Sequence, residues 1–247
     1  MVKVTSTGIP ALDKALMNGV PRGYTLLVTG APGTGLELFA KHFAATNQDT
    51  ENVVYFTTTE RDEDLLGAME EFGFHTKVKI LNIGRQYYET VLAQHLEISR
   101  YRQEGITLKD VRQFETKARE ERRVANFLTF LTHEFSKLRP PFRAVIDSLD
   151  FFFENYSEMQ VLSTLRTIKA HTQVQESVTL VTMVSHPGAL GSRGEVEEIV
   201  DGVIELERIR AGDEFKRSLV VRKMRNHPEK AGIYPYEITK QGITPTS

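Results

Sequence analysis

The segment Gly30-Ala31-Pro32-Gly33-Thr34-Gly35 lies between an apolar run at residues 24–29 and residues 36–47, whose apolar positions recur at helical spacing. A strand, a glycine turn and an amphipathic helix in that order commit this part of the chain to a β-turn-α unit, because the helix must lay its apolar stripe back on a sheet. The same texture recurs. Residues 53–57, 78–83, 143–147 and 178–184 are short β-branched or apolar runs, expected as buried parallel strands. Residues 62–72 and 158–174 carry helical spacing and are expected to cover the sheet faces through right-handed crossovers. The fold class is α/β, a mainly parallel central sheet flanked by helices.

The chain has 247 residues, enough for one enlarged domain spanning residues 1–247 and short of what a second usually needs. Its 40% hydrophobic and 26% charged content excludes collagen-like, disordered and mucin-like classes. No run approaches the roughly 18 apolar residues of a membrane helix, and Met1-Val2-Lys3-Val4-Thr5 lacks the design of a signal peptide, so a cytoplasmic protein with no membrane partner is expected. With no cysteine there is no disulfide framework, thiolate nucleophile or cysteine-ligated metal. The seven histidines show no paired ligand spacing, so any metal would arrive with a nucleotide. A formal charge of -2 gives no global sign of a polyanion partner.

After Asp201 the pattern changes to strand-like segments at 203–206, 219–223 and 236–239, expected as antiparallel edge strands separated by turns at 211–213 and 226–228. Residues 87–138 read as a helical insertion. Its dense charge run extends from Arg100 to Arg123, a new helix start is expected at Thr107-Leu108-Lys109-Asp110, and Val124, Phe127, Leu128, Leu131 and Phe135 return to the core. Pro140-Pro141 then stops the second helix.

The glycine loop has the strand–loop–helix context of a phosphate cradle, in which inward backbone N–H groups and the positive end of the helix hold an anion. That pattern ends in Lys followed by Ser or Thr, an ammonium for the phosphates and a hydroxyl for magnesium. Here Leu36 and Glu37 stand in those places. Leu36 brings no charge, and Glu37 repels phosphate oxygens while suiting the helix N-terminus itself. Two readings stay open: a glycine turn kept for packing, and a loop retaining residual nucleotide binding through Gly30, Ala31, Pro32, Gly33, Thr34, Gly35, Leu36 and Glu37.

Thr7-Gly8-Ile9-Pro10-Ala11-Leu12-Asp13 with Gly19-Val20-Pro21-Arg22-Gly23 resembles the entry segment of KaiC-like ATPases of the RecA superfamily. The resemblance continues through residues 53–60, with Arg61 where a second acidic residue is usual, then 145–149, 200–206, 221–227 and 236–243. It implies a RecA-like P-loop fold, ATP or ADP with magnesium as ligand, Glu60 as the carboxylate that polarises water, and Asp147 as the magnesium partner. It further implies that Lys223 and Arg225 reach a neighbouring protomer's phosphate, hence a homo-oligomer or a hetero-oligomer with a related ATPase subunit.

Each residue has a plainer alternative. Glu60 can cap the following helix, Asp147 can hydrogen-bond backbone in the switch region, and Lys223 and Arg225 can be solvated charges on an edge strand. Phe151-Phe152-Phe153 reads as core or interface, and His186 as a packing residue. The basic insertion, with acids such as Glu115 interleaved among arginines such as Arg119, reads as a solvated face before a nucleic-acid surface. Three functions follow: a KaiC-like regulatory or scaffolding subunit with a degraded loop that hydrolyses ATP poorly and binds nucleotide weakly or not at all; an active ATPase using another lysine, Lys41 or a neighbour's Lys223; and a nucleic-acid-binding recombinase paralogue.

Overall fold

The computed structural model describes residues 3–47, 49–92, 126–185, 190–230 and 232–246. The entry segment carries β1 (Val4–Thr5), α1 (Pro10–Ala15) and β2 (Val20–Pro21), then β3 (Thr25–Gly30), α2 (Leu36–Ala45), β4 (Asn52–Thr57), α3 (Asp62–Glu71) and β5 (Lys79–Asn82). A helix α4 (Ile83–Tyr87) runs into one π-helical turn at Tyr88–Leu92, and α5 (Phe127–Ser136) follows. The remainder is β6 (Phe142–Asp147), α6 (Asp150–Asn155), α7 (Glu158–Val174), β7 (Val178–Val184), α8 (Leu190–Ile199), β8 (Gly202–Ala211), β9 (Glu214–Met224), β10 (Ile233–Thr239) and β11 (Gly242–Pro245).

Among the described residues β1 and β2 pair with each other, and nine strands form the main sheet in the order β11-β10-β9-β8-β3-β7-β6-β4-β5. From β8 to β5 every pairing is parallel, and β9 to β11 continue it antiparallel. Both faces are covered, which is why β3, β6 and β7 are buried along nearly their whole length rather than on alternate residues. Leu26 and Val28 of β3 face one layer with Phe39 and Phe43 of α2, whereas Leu27 faces the other with Leu165 of α7 and Val196 of α8. Phe127, Leu128, Leu131 and Phe135 enter this second layer as the sequence implies.

The entry segment is fastened by a buried charge. Arg143 is fully buried on β6 and donates from Nε to Glu51 at 2.7 Å, from Nη1 to the Phe43 carbonyl at 3.2 Å, and from Nη2 to Thr5 Oγ1 and the Ser6 carbonyl at 2.9 Å each. Arg22 adds a second guanidinium to Glu51 at 2.8 Å. A buried guanidinium with this many acceptors is matched; stripped of Glu51 it would be a strongly destabilising orphan charge.

Several expected boundaries shift. The strand expected at 78–83 is Lys79–Asn82, because the Asn82 side chain accepts the Arg85 N–H at 2.8 Å and starts α4 at Ile83. Helical structure therefore begins before residue 87, where the insertion was placed. The segment at 203–206, expected as an antiparallel edge, lengthens to β8 and pairs parallel with β3, since α8 carries the chain back across the sheet before β8 begins. Val124, the helix start at Thr107 and the charge run from Arg100 to Arg123 lie outside the described residues. Among the described residues no helix is long and apolar enough to cross a membrane.

Candidate functional site

The glycine loop leaves the carboxyl end of β3, next to the central strands of the sheet. Gly33 and Gly35 have φ of 84° and 87°, where only glycine is unstrained. Space is short as well. A Cβ on Gly30 would sit 2.5 Å from Thr34 Oγ1, and one on Gly35 would sit 2.8 Å from Ile238 Cδ1. The loop closes on itself, with the Thr34 N–H and Oγ1 both donating to the Ala31 carbonyl at 3.2 and 2.8 Å. It is also held from outside, since Arg217 Nε donates to the Gly33 carbonyl at 3.0 Å and Tyr236 donates to the Thr34 carbonyl at 2.5 Å. Arg208 packs against Gly33 with its guanidinium over the Phe215 ring, 3.9 Å from the centroid.

This is a curled backbone at a helix N-terminus whose glycines are packed by the chain's own Thr34, Arg208 and Ile238 side chains; a glycine curl in this position is the kind of backbone that can hold an anion such as phosphate. The side chains at its end do not supply the usual charge chemistry. Ala31, Pro32 and Gly33 are exposed, Leu36 is buried against the apolar layer beneath α2, and Glu37 is exposed on the first turn of α2. The Thr34 hydroxyl is buried and donates to the Ala31 carbonyl at 2.8 Å.

Asp147 ends β6 beside the Thr57 end of β4 and is 4% exposed. Both carboxylate oxygens accept hydroxyl donors: Oδ2 from Tyr55 and Oδ1 from Thr182, each at 2.6 Å. Its carbonyl accepts from the Thr58 N–H at 2.8 Å and Oγ1 at 3.1 Å. The carboxylate thus meets side-chain hydroxyls and not the backbone partner weighed from sequence. Burial, and then the Asp147 charge beside it, push the Tyr55 hydroxyl well above its ordinary range; Glu60 and Glu37 add to the effect, so all three carboxylates bear on one phenol.

Glu60, just past β4, does not cap α3. That helix begins after Arg61, whose guanidinium pairs with Asp64 at 2.7 Å, and no side chain caps it. The Glu60 carboxylate turns instead to Lys41 Nζ at 2.8 Å. Lys41, weighed above as a substitute for the loop lysine, is therefore engaged on Glu60 in this structure.

Lys223 and Arg225 are remote from their own chain's loop. Lys223 pairs across β8 with Val203 while Gly30 pairs with Leu206, so they flank opposite ends of the β8 segment that lies along β3. Lys223 Nζ donates to the carbonyls of Glu197 at 2.5 Å and Val200 at 2.9 Å, and Arg225 donates to that of Glu198 at 3.0 Å. They close the carboxyl end of α8, where a cation is favoured by the helix dipole; Lys223 is half-buried there, while Arg225 remains exposed to solvent. Burial, with Arg225 and Lys169 nearby, holds the Lys223 ammonium below its ordinary range.

Sequence reading missed the groups that hold the site in shape: Tyr55, Thr182, and a cluster under the loop. Ser185 donates its N–H to the Gly30 carbonyl at 2.9 Å, and Arg193 reaches Ser185 Oγ at 3.3 Å and Glu205 at 3.0 Å. Tyr55 carried one signal, a phenol in an otherwise apolar buried strand that must find a partner. Phe152 is buried and Phe151 stacks edge-on with Tyr87 at 5.2 Å, in keeping with a packing role, while His186 lies outside the described residues.

A solved KaiC-like protein of Pyrococcus horikoshii superposes with a TM-score of 0.69 over all of both chains at 24% identity, a likeness of fold. In sequence, a UPF0273 protein of Pyrococcus furiosus is 28% identical over 98% of this chain and 94% of its own length. The circadian clock oscillator protein KaiC of Synechococcus elongatus is 26% identical over 96% of this chain, which corresponds to 43% of that protein. The family model described as the KaiC ATPase matches residues 5–246, nearly the whole chain, and the protein belongs to that family.

Proposed function

We propose that this chain is a KaiC-family domain that has lost efficient ATP hydrolysis, retains weak nucleotide binding at the glycine loop, and acts as a regulatory or scaffolding subunit. The observation that carries this reading is the end of the loop: a buried Leu36 and an exposed Glu37 occupy the places of the phosphate-neutralising ammonium and the magnesium hydroxyl. The glycine curl is retained for weak binding, while the end of the loop itself no longer supplies the charge stabilisation that efficient hydrolysis needs. Loss of one preorganised stabiliser of transition-state charge commonly costs about 100-fold or more in rate.

ATP or ADP with magnesium would supply the phosphate and the cation. Gly30 to Gly35 would hold the phosphates through backbone N–H groups, Asp147 is the candidate magnesium partner, and Glu60 is the candidate base. Lys223 and Arg225 are proposed to contribute at a protomer boundary, in a homo-oligomer or with a related ATPase subunit.

Titration of the purified chain with labelled ATP, with and without magnesium, together with phosphate release under the same conditions, tests the reading. Saturable binding with negligible turnover is expected. Magnesium-dependent hydrolysis near about 1 per second, a rate within the ordinary enzyme range, abolished by Asp147→Ala would overturn it.

A further inference from the structure

The chain lacks an ammonium at position 36 and buries one five residues later on the same helix, where Lys41 is 3% exposed. An ammonium so far from water must be matched, and its one acceptor among the described residues is Glu60 Oε1 at 2.8 Å. That bond uses one of the three N–H groups an ammonium carries.

Helix geometry sets where this charge lies. Side chains on an α-helix lean toward its N-terminus, so the long stem of Lys41 carries its head back up α2 toward the glycine loop. Glu60 meets it there from the carboxyl end of β4, and Glu37, one turn before Lys41, lies on the same side of α2. Asp147 contacts the Tyr55 hydroxyl at 2.6 Å, and the charges of Glu60 and Glu37 act on the same phenol from farther off. The Glu60 carboxylate is itself 27% exposed and borders an open cavity of about 400 Å³ whose lining includes Asn82, Tyr88, the acids Asp62 and Glu63 and the cations Arg61 and Arg85. Deprived of Lys41, Glu60 can turn into that cavity and be hydrated; Lys41 deprived of Glu60 has no comparable outlet.

Resting on the nucleotide-binding reading above, we propose that Lys41 is the phosphate-contacting cation of this chain, held by Glu60 until the terminal phosphate of a nucleoside triphosphate displaces the carboxylate. A terminal phosphate offers three acceptor oxygens and roughly −1.5 to −2 charge against the single charge of a carboxylate, so it can compete for the ammonium. The competition makes affinity low in the parent chain. It favours triphosphate over diphosphate, because the terminal phosphate brings the additional charge that competes with the Glu60 carboxylate. Glu60 is thereby an internal competitor of the ligand.

The test is binding of a fluorescent ATP and a fluorescent ADP to the full chain by anisotropy, for the parent, Lys41→Met, Glu60→Gln and the double variant, with circular dichroism melts to verify folding. Glu60→Gln is expected to bind the ATP probe about tenfold more tightly and Lys41→Met at least about tenfold more weakly, about 1.4 kcal/mol in each direction. The double variant should bind no better than Lys41→Met, and the preference for ATP over ADP should vanish with Lys41. If the parent binds the probe and Lys41→Met binds it equally, or Glu60→Gln binds it no better, the role of Lys41 is overturned while nucleotide binding stands. If neither the parent nor Glu60→Gln binds the probe, nucleotide binding and this inference fall together. Should Lys41→Met not fold, the Glu60→Gln comparison with the parent decides alone.

Discussion

Lys41, 3% exposed on the helix that follows the glycine loop, and Glu60, just beyond the neighbouring strand of the chain, form an ion pair at 2.8 Å that is dry on one side and wet on the other. The Lys41 side chain is 4% exposed and that of Glu60 27%. Loss of the two partners therefore has unequal consequences. Glu60→Ala strands a buried cation and should cost about 3 kcal/mol or more, whereas Lys41→Met keeps the apolar stem and leaves a carboxylate that water can reach, at about 1 kcal/mol. Urea unfolding of the two variants measures the difference, and equal losses would show that the pair is not asymmetrically buried.

Tyr55 and Thr182 satisfy both oxygens of Asp147 inside the protein. Tyr55→Phe removes one donor and leaves a buried carboxylate oxygen without its partner, a loss of about 1–3 kcal/mol. In a chain of this length that lowers the melting temperature by roughly 2–4 °C per kcal/mol, which calorimetry resolves. An unchanged melting temperature would mean that water or rearrangement replaces the phenol at little cost.

Restoring the usual chemistry at the loop's end is expected to strengthen nucleotide binding. In Leu36→Lys with Glu37→Thr, the lysine stem can follow the apolar path of Leu36 while its head reaches the phosphates, and the threonine removes a repelling charge. Isothermal calorimetry with Mg-ATP should show a rise of at least about tenfold in affinity. A folded double variant that binds no better than the parent would show that the glycine curl is not a working cradle.

Acid lability should trace partly to His42, which packs on Phe74 with ring centroids 4.6 Å apart. Burial, opposed by a hydrogen bond from the ring to the Gly8 backbone and by the Asp13 charge, lowers its pKa from 6.5 to about 4. Between those values the unfolded chain binds the proton and the folded chain does not, so stability is whole above about pH 6.5 and falls as the pH drops toward 4. At 1.36 kcal/mol per unit the loss approaches about 3 kcal/mol by pH 4. His42→Gln should flatten the urea midpoint across pH 7 to 4.5 relative to the parent; parallel pH profiles for the two proteins would exclude the effect.

What could be read along the chain was what local chemistry settles. The glycine curl at residues 30–35, the buried strands and the helix faces follow from dihedral freedom and the period of apolar residues, which need only near neighbours. Resemblance spread over many short motifs was enough to suggest the KaiC-like frame, and the family match over residues 5–246 agrees. Partnership was not legible. Lys41 finds Glu60 across 19 residues, Tyr55 finds Asp147 across 92, and Lys223 finds the end of α8 across 26, because the sheet order sets strands distant in sequence side by side. Neither composition nor spacing distinguishes a glutamate that caps a helix from one that neutralises a buried lysine. Burial makes that choice, since a charge taken out of water must find its counterpart wherever the fold has placed it.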